Sequence, residues 1–82
     1  MHTMYDTRDL CLAAFLKAHG HRPSLLEPDL SGFVTFRFDD PHGDLSRLAA
    51  AFHTGASVPA LPFYHALGDL RGAIRVAQGG GR

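Results

Sequence analysis

The alternation of apolar and polar residues over positions 33–39 is the sequence feature that most constrains the fold. A period of two is the pattern of a β-strand that buries one face. The apolar face consists of Val34, Phe36 and Phe38. The opposite face carries Phe33, Thr35, Arg37 and Asp39. Because a two-stranded hairpin alone is only marginally stable in water, helices must cover the apolar face or a third strand must extend the sheet.

A second strand is predicted just before this segment, at residues 24–27. Pro23 and Pro28 flank it, and they exclude a helix between them because proline lacks an N–H group and disfavours helical geometry in the residue before it. Residues 29–32 have the composition of a turn. The two segments therefore predict an antiparallel hairpin with a loop of four or five residues.

Three helices are predicted around the hairpin from apolar residues at helical spacing. The first runs from an N-cap at Thr7 to a left-handed Gly20, and the second from a cap at Asp40 to Gly55. The third opens at Pro59. The three apolar stripes are Leu12, Phe15, Leu16 and His19; Leu45, Leu48, Ala49 and Phe52; and Phe63, Leu67, Leu70 and Ile74.

The predicted fold class is α+β, with a small antiparallel hairpin or three-stranded sheet covered by three helices. Val58 is the candidate for a third strand, between the second and third helices, because Pro59 favours an extended residue before it. One domain over residues 5–77 accounts for the whole pattern. Residues 78–82 are predicted to be a flexible, glycine-rich tail.

Composition favours a cytoplasmic protein. No apolar run approaches the roughly 20 residues needed to span a bilayer, and the N-terminal residues lack a signal-peptide pattern. The single cysteine, Cys11, excludes an internal disulfide and fits a reducing compartment. Eight Lys and Arg residues balance eight Asp and Glu residues, which excludes a polybasic protein but leaves room for a local basic face.

No group of residues indicates catalysis, metal binding or a cofactor. Cys11 has no histidine fixed beside it as a base, and packing is the simpler role for it. Of the six histidines only His19 and His21 are close in sequence, whereas a structural zinc site needs three or four ligands. Asp40 and Asp44 are explained by helix capping. The sequence therefore predicts a protein that is not an enzyme by itself.

A family resemblance supports the single-domain prediction. Residues 7–16, which read TRDLCLAAFL, and the His-Gly-His corner at 19–21 resemble a family of small bacterial proteins and domains of unknown function. Further similar pieces are VTFRFDD at 34–40, Gly55, Val58 and residues 63–70. The likeness covers roughly residues 5–76 and implies no particular activity.

Three residues depart from the pattern of that family. Cys11 stands where an aromatic residue is expected, and Gly68 and Gly72 stand where stronger helix formers are usual. Each glycine costs a helix about 1 kcal/mol relative to alanine. Their spacing of four, in line with Tyr64, places them on one helix face, where another helix of the domain, a second copy or a ligand could approach closely. Tyr64, Gly68 and Gly72 are therefore candidates for self-association.

A second set consists of arginines, of histidines and of residues on the outer face of the predicted strand. This set would contact a protein partner or single-stranded nucleic acid. Its members are Phe33, Thr35, Arg37, Arg22, His19, His21, Arg71 and Arg75. The sequence thus predicts a small non-catalytic interaction module, self-associating or adaptor-like, with a protein as its partner. The alternatives are a nucleic-acid-binding protein that uses the Arg/His face and an accessory subunit of an enzyme complex. Neither a membrane nor a small-molecule substrate is predicted.

Overall fold

The computed structural model describes residues 3–79 of the chain. These residues form three strands and three helices, which in chain order are β1 (Met4–Thr7), α1 (Leu10–Ala18), β2 (Pro23–Pro28), β3 (Val34–Asp39), α2 (Asp44–His53) and α3 (Ala60–Ala77). The strands make one antiparallel sheet in the order β1-β3-β2. The structure therefore confirms the predicted α+β fold.

The apolar face of β3 forms one side of the core. Val34, Phe36 and Phe38 are buried, as the alternation predicts. The neighbouring strands extend this face, because Tyr5 of β1 lies opposite Phe38 and Leu26 of β2 lies opposite Phe36. Both side chains are half-buried and pack against the core. The helices cover this face of the sheet, and the opposite face is left to solvent.

Helix α1 lies at the centre of the domain. Its consecutive residues Leu12, Ala13, Ala14, Phe15 and Leu16 are all buried. A helix that packs on one side buries only every third or fourth residue, so α1 must be covered on several sides. The sheet covers one side, and α2 and α3 cover others: the Phe15 ring lies 5.0 Å from that of Phe52 on α2, and Lys17 Nζ lies 3.9 Å from Asp69 Oδ2 on α3.

The third strand is β1, and the prediction that Val58 forms it is wrong. Residues 56–59 have no strand partner and connect α2 to α3, although Val58 packs against the core. The reason is topological, since β3 has only two edges and both are taken, by β1 and β2. Hairpin formation itself is confirmed, with a connection of five residues between Pro28 and Val34.

The helix ends agree with the predicted signals in part. Gly20 and Gly55 follow α1 and α2 with φ angles of 94° and 92°, the left-handed geometry that glycine adopts without strain. The N-cap of α1 is Asp9 and not Thr7: its Oδ1 accepts hydrogen bonds from the amides of Cys11 (2.9 Å) and Leu12 (3.2 Å).

The N-cap position of α2 is Gly43 and not the predicted Asp40, although the Asp40 side chain still accepts from the first amides of the helix. Its Oδ1 accepts from the amides of Asp44 at 2.9 Å and Leu45 at 3.3 Å. The helix begins only at Asp44, because a turn that includes Pro41 and a left-handed Gly43 (φ 71°) lies between Asp40 and the helix. The carboxylate of Asp40 is buried, and these amides satisfy it.

The end of α3 reaches the β2–β3 hairpin. Gln78, at the start of the predicted tail, donates a hydrogen bond from its side-chain amide to the carbonyl oxygen of Gly32 at 2.7 Å. Gly79 follows in a turn, where its amide donates to the carbonyl oxygen of Val76 at 3.0 Å, and residues 80–82 lie outside the described residues. Within residues 3–79, the helices are too short or too polar for any of them to cross a membrane.

Candidate interaction surfaces

The solvent face of the sheet is organised around Arg37. Its Nε and Nη2 donate to the two carboxylate oxygens of Asp6, at 3.0 Å and 3.1 Å, because Asp6 on β1 lies directly opposite Arg37 on β3. Glu27 on β2 lies 3.6 Å away on the other side. The hydrogen bond to Asp6, and then the charge of Asp6, raise the pKa of the Arg37 guanidinium above its ordinary value.

This arrangement changes the role that the sequence suggested for Arg37. A guanidinium already held by a bidentate carboxylate must lose that partner before it can bind a phosphate. Within residues 3–79, two carboxylates, those of Asp6 and Glu27, lie beside the Arg37 guanidinium. Both carboxylates repel the phosphate backbone of a nucleic acid.

Phe33 lies in the hairpin loop, just before β3, and its ring is 57% exposed. The guanidinium carbon of Arg8 lies 4.5 Å from the centre of that ring, and Arg8 Nη2 lies 3.2 Å from Asp29 Oδ2. A cation over an exposed aromatic face is worth about 0.5–1 kcal/mol. One side of Phe33 is therefore covered within the domain by Arg8, a residue that the sequence analysis did not single out.

Asp29 shapes the loop that carries Phe33. Its Oδ1 accepts from the Ser31 hydroxyl at 2.6 Å, the Ser31 amide at 2.9 Å and the Phe33 amide at 3.1 Å. These bonds, the one from the Ser31 hydroxyl above all, lower the pKa of the Asp29 carboxyl. The Asp29-Leu30-Ser31-Gly32 turn is thus held by one side chain, as is typical of aspartate in loops.

His19, His21 and Arg22 lie at the opposite end of β2 from Phe33. His19 ends α1 and its ring is 4.5 Å from that of Phe15. Arg22 is exposed. Because Arg22 and Phe33 stand beyond the two ends of a six-residue strand, with a rise of roughly 3.3 Å per residue, they are about 20 Å apart.

An open cavity of about 430 Å³ adjoins this corner. Its lining residues are His21, Asp44, Arg47, Leu48 and Ala51. Arg47 lies 3.9 Å from Asp44 one turn earlier on α2, and its side chain is largely exposed. The cavity therefore contains a cation that is only loosely held, next to a carboxylate of opposite charge.

The outer face of α3 carries three exposed large apolar side chains. We define it by Leu61, Tyr64, Gly68, Gly72 and Val76, spaced three or four residues apart. The three side chains are 63%, 70% and 71% exposed. Among residues 3–79, and leaving aside the backbone of the same helix turns, a Cβ atom built on either glycine would meet no atom within 4 Å. Packing of these glycines against another helix of the same domain is therefore ruled out.

Polar groups border the outer face of α3. Arg71 and Arg75 are exposed and one turn apart. A shallow depression of about 250 Å³ lies beside Gly68, lined by Tyr64, His65, Asp69 and Arg71 as well. The face therefore combines an apolar and glycine-lined centre with a charged border.

The predicted contact residues do not form one surface. The structure places Phe33, Thr35 and Arg37 on or beside the solvent face of the sheet, and the His19–Arg22 corner at the far end of β2. Arg71 and Arg75 lie on α3, in the helical layer. Tyr64, Gly68 and Gly72 lie on one face of α3, as their spacing predicts.

The chemistry-bearing residues are equally dispersed. Over residues 3–79, no three His, Cys, Asp or Glu side chains are grouped so that they could hold a metal ion. The predicted packing role of Cys11 is wrong, since Cys11 is exposed. It lies in the first turn of α1, ahead of the five buried positions.

Comparisons of the chain with protein-family models, with curated proteins and with solved structures find no match. The resemblance to a family of small bacterial proteins therefore stays a prediction.

Proposed function

We propose that this protein is a non-catalytic interaction module and that the outer face of α3 receives its partner. The observation that carries the proposal is the exposure of Leu61, Tyr64 and Val76 on either side of two glycines with open space in front of them. Burying one large apolar side chain fully is worth about 1.5–3 kcal/mol. The three side chains can therefore supply a substantial part of a binding free energy.

The two glycines also support a partner on this face, because they lower the stability of the helix. Gly68 and Gly72 lie within an 18-residue helix, where each destabilises the helix by about 1 kcal/mol relative to alanine. In the part of the chain that the structure describes, no contact offsets that cost, because both positions face open space. A partner helix that approaches close to the α3 backbone would offset it, and the absence of a Cβ atom at both positions permits such an approach.

The border of the face suits a protein partner. Stable interfaces combine an apolar centre with a polar rim, and here Arg71 and Arg75 lie beside the apolar line, with Asp69 nearby. A second copy of the chain or the helix of another protein fits these features. If the partner is an enzyme, the module is the accessory subunit of its complex.

Affinity capture from the native host tests the proposal. The baits are the wild-type chain, Gly68→Glu, which places a charged side chain on the outer face of α3, and Ala50→Glu as a matched control on the exposed side of α2. We expect Gly68→Glu to lose the protein that wild type and Ala50→Glu both retain. Equal capture by all three baits would refute a role for α3.

Nuclease treatment of the same lysate distinguishes a protein partner from the main alternative, which is nucleic acid. Nucleic-acid binding is supported by the exposed pair Arg71 and Arg75, whereas Arg37 is engaged by Asp6. If nucleic acid were the ligand, capture would depend on it, and affinity would fall steeply with salt because bound arginines displace counterions. Capture that survives nuclease and moderate salt supports a protein partner.

A further inference from the structure

The two edges of the sheet are unlike. β2 begins and ends with a proline, Pro23 and Pro28, and its pairing with β3 shifts register between Pro23 and Leu25. Prolines and bulges keep an edge strand from pairing with another chain. β1, at the opposite edge, has no proline and pairs with β3 in an unbroken register. The β1 edge is therefore the one that can accept a further strand.

One hydrogen bond shows which backbone groups of β1 face that open edge. The N–H of Asp40 donates to the carbonyl oxygen of Thr3 at 2.9 Å, so Thr3 directs its carbonyl toward the neighbouring strand. In an antiparallel pair this direction alternates from residue to residue. Tyr5 therefore bonds to β3, whereas Met4 and Asp6 direct their N–H and C=O groups away from it.

We propose that the open edge binds the β1 strand of a second copy of this chain, antiparallel, with Met4 of each copy opposite Asp6 of the other. In such a pair of opposite residues, each residue donates its N–H to the C=O of the other, which gives two hydrogen bonds. Every outward backbone group of Met4 and Asp6 is then paired. Tyr5 meets its own counterpart at the two-fold axis, and the contact is isologous, the commonest type in homodimers.

Charge and side-chain direction select this register. A shift by one residue would set the core-side Tyr5 against residues of the solvent face, because side chains alternate between faces. A shift by two in one direction would place Asp6 directly opposite Asp6, and like charges at opposite positions are destabilising. A shift by two in the other direction would leave Met4 as the one β1 residue opposite a β1 residue of the second copy, so most of the strand pairing would be lost. In the proposed register Asp6 meets Met4 instead and keeps its bond to Arg37 on the same face.

The pairing joins the two sheets into one with the order β2-β3-β1-β1-β3-β2. A two-fold axis perpendicular to the sheet leaves the helices of both copies on the same face. β1 is self-complementary about Tyr5, which favours a second copy over an unrelated strand. No residue of α3 takes part, so this contact goes beyond the proposed function and does not depend on it.

Light scattering over a concentration series tests the contact, with three chains compared. Met4→Pro removes an N–H that points outward, while the bonds between β1 and β3 stay intact. Wild type and Gly68→Glu should dimerise alike. Met4→Pro loses two hydrogen bonds per dimer, each worth about 1 kcal/mol, so its dissociation constant should rise roughly tenfold or more.

Disulfide trapping provides a second test that does not require proline to be tolerated. In a Cys11→Ser background, Tyr5→Cys places two thiols at the two-fold axis, where opposite Cα atoms are about 4.5 Å apart and a disulfide can form. Met4→Cys is the matched control, because its two thiols are offset by two residues and lie roughly 8 Å apart. Tyr5→Cys should cross-link, and Met4→Cys should not.

Several results would overturn the β1 contact. The first is a wild-type chain that stays monomeric at high micromolar concentration. The second is a dimer whose dissociation constant does not change in Met4→Pro. The third is a Tyr5→Cys chain that forms a disulfide no faster than Met4→Cys. A dimer lost in Gly68→Glu would overturn it too, and would instead identify the outer face of α3 as the self-association surface. The two proposals therefore fail separately.

Discussion

Replacing Gly68 and Gly72 by alanine tests whether the outer face of α3 serves the domain or a partner. Both glycines are helical, exposed and without any neighbour within 4 Å of an added Cβ atom. The added methyl groups therefore meet no steric resistance, and the change acts only through the helix. Alanine is preferred to glycine by about 0.8–1.0 kcal/mol at such a position, partly because it restricts the unfolded chain.

The double variant should accordingly be more stable by about 2 kcal/mol, because each alanine contributes its own helix-propensity gain. For a domain of this size 1 kcal/mol corresponds to roughly 4–8 °C in Tm. Thermal and urea unfolding at low protein concentration, where the chain is monomeric, measure the effect. Capture of the partner should weaken at the same time, because the methyl groups occupy the space that a partner backbone would use.

Two results would refute this reasoning. Destabilisation by either alanine would mean that the glycines pack against something within the domain or adopt a backbone geometry that alanine cannot. A gain in stability with undiminished partner capture would mean that α3 has two poor helix formers without a binding role. Ala50, exposed on α2, supplies the reverse control: Ala50→Gly should cost about 1 kcal/mol.

Three further perturbations test the fold. Asp40→Ala removes the acceptor of two amide hydrogen bonds and should destabilise the domain by about 1–2 kcal/mol in urea unfolding; no loss would show that water replaces the cap. Phe36→Ala should cost about 3–5 kcal/mol, as expected of a fully buried phenylalanine, and a cost near zero would contradict its place in the core. Because the folded chain lowers the pKa of Asp29 below its ordinary 3.8, its contribution is present above that value and is lost as pH falls further. The difference in Tm between wild type and Asp29→Asn should therefore stay constant at neutral pH and vanish only in strong acid. A difference that already changes near pH 6 would contradict this assignment.

The elements that follow a local rule are the ones that the sequence predicts. Phe36 and Phe38 alternate with polar residues, which is enough to predict the strand β3. Gly20 and Gly55 end helices whose apolar spacing is regular, so residues near in sequence are also enough to predict α1 and α2. β1 has only four residues, Met4–Thr7, too few to display a period. It is a strand because β3 offers it an edge, and that condition appears only once the chain has folded.

The candidate surfaces also divide into those set by residues near in sequence and those set by residues that only folding brings together. Tyr64, Gly68 and Gly72 share a helix, so their common face can be derived from spacing alone. The engagement of Arg37 by Asp6 joins residues 31 positions apart, and no local pattern indicates it. The charge of Arg37 is visible in the sequence, but its neutralisation depends on the register between β1 and β3.

The central position of α1 bears on how the chain can fold during synthesis. Its five buried residues are covered in part by α3, which is the last of the six described elements to be synthesised. A nascent chain that ends before residue 60 still exposes one side of its first helix to water, and β1 gains its strand neighbour only when β3 follows. Folding of this domain is thus completed only once α3 has been synthesised, and fragments lacking α3 are expected to be degraded or held by chaperones.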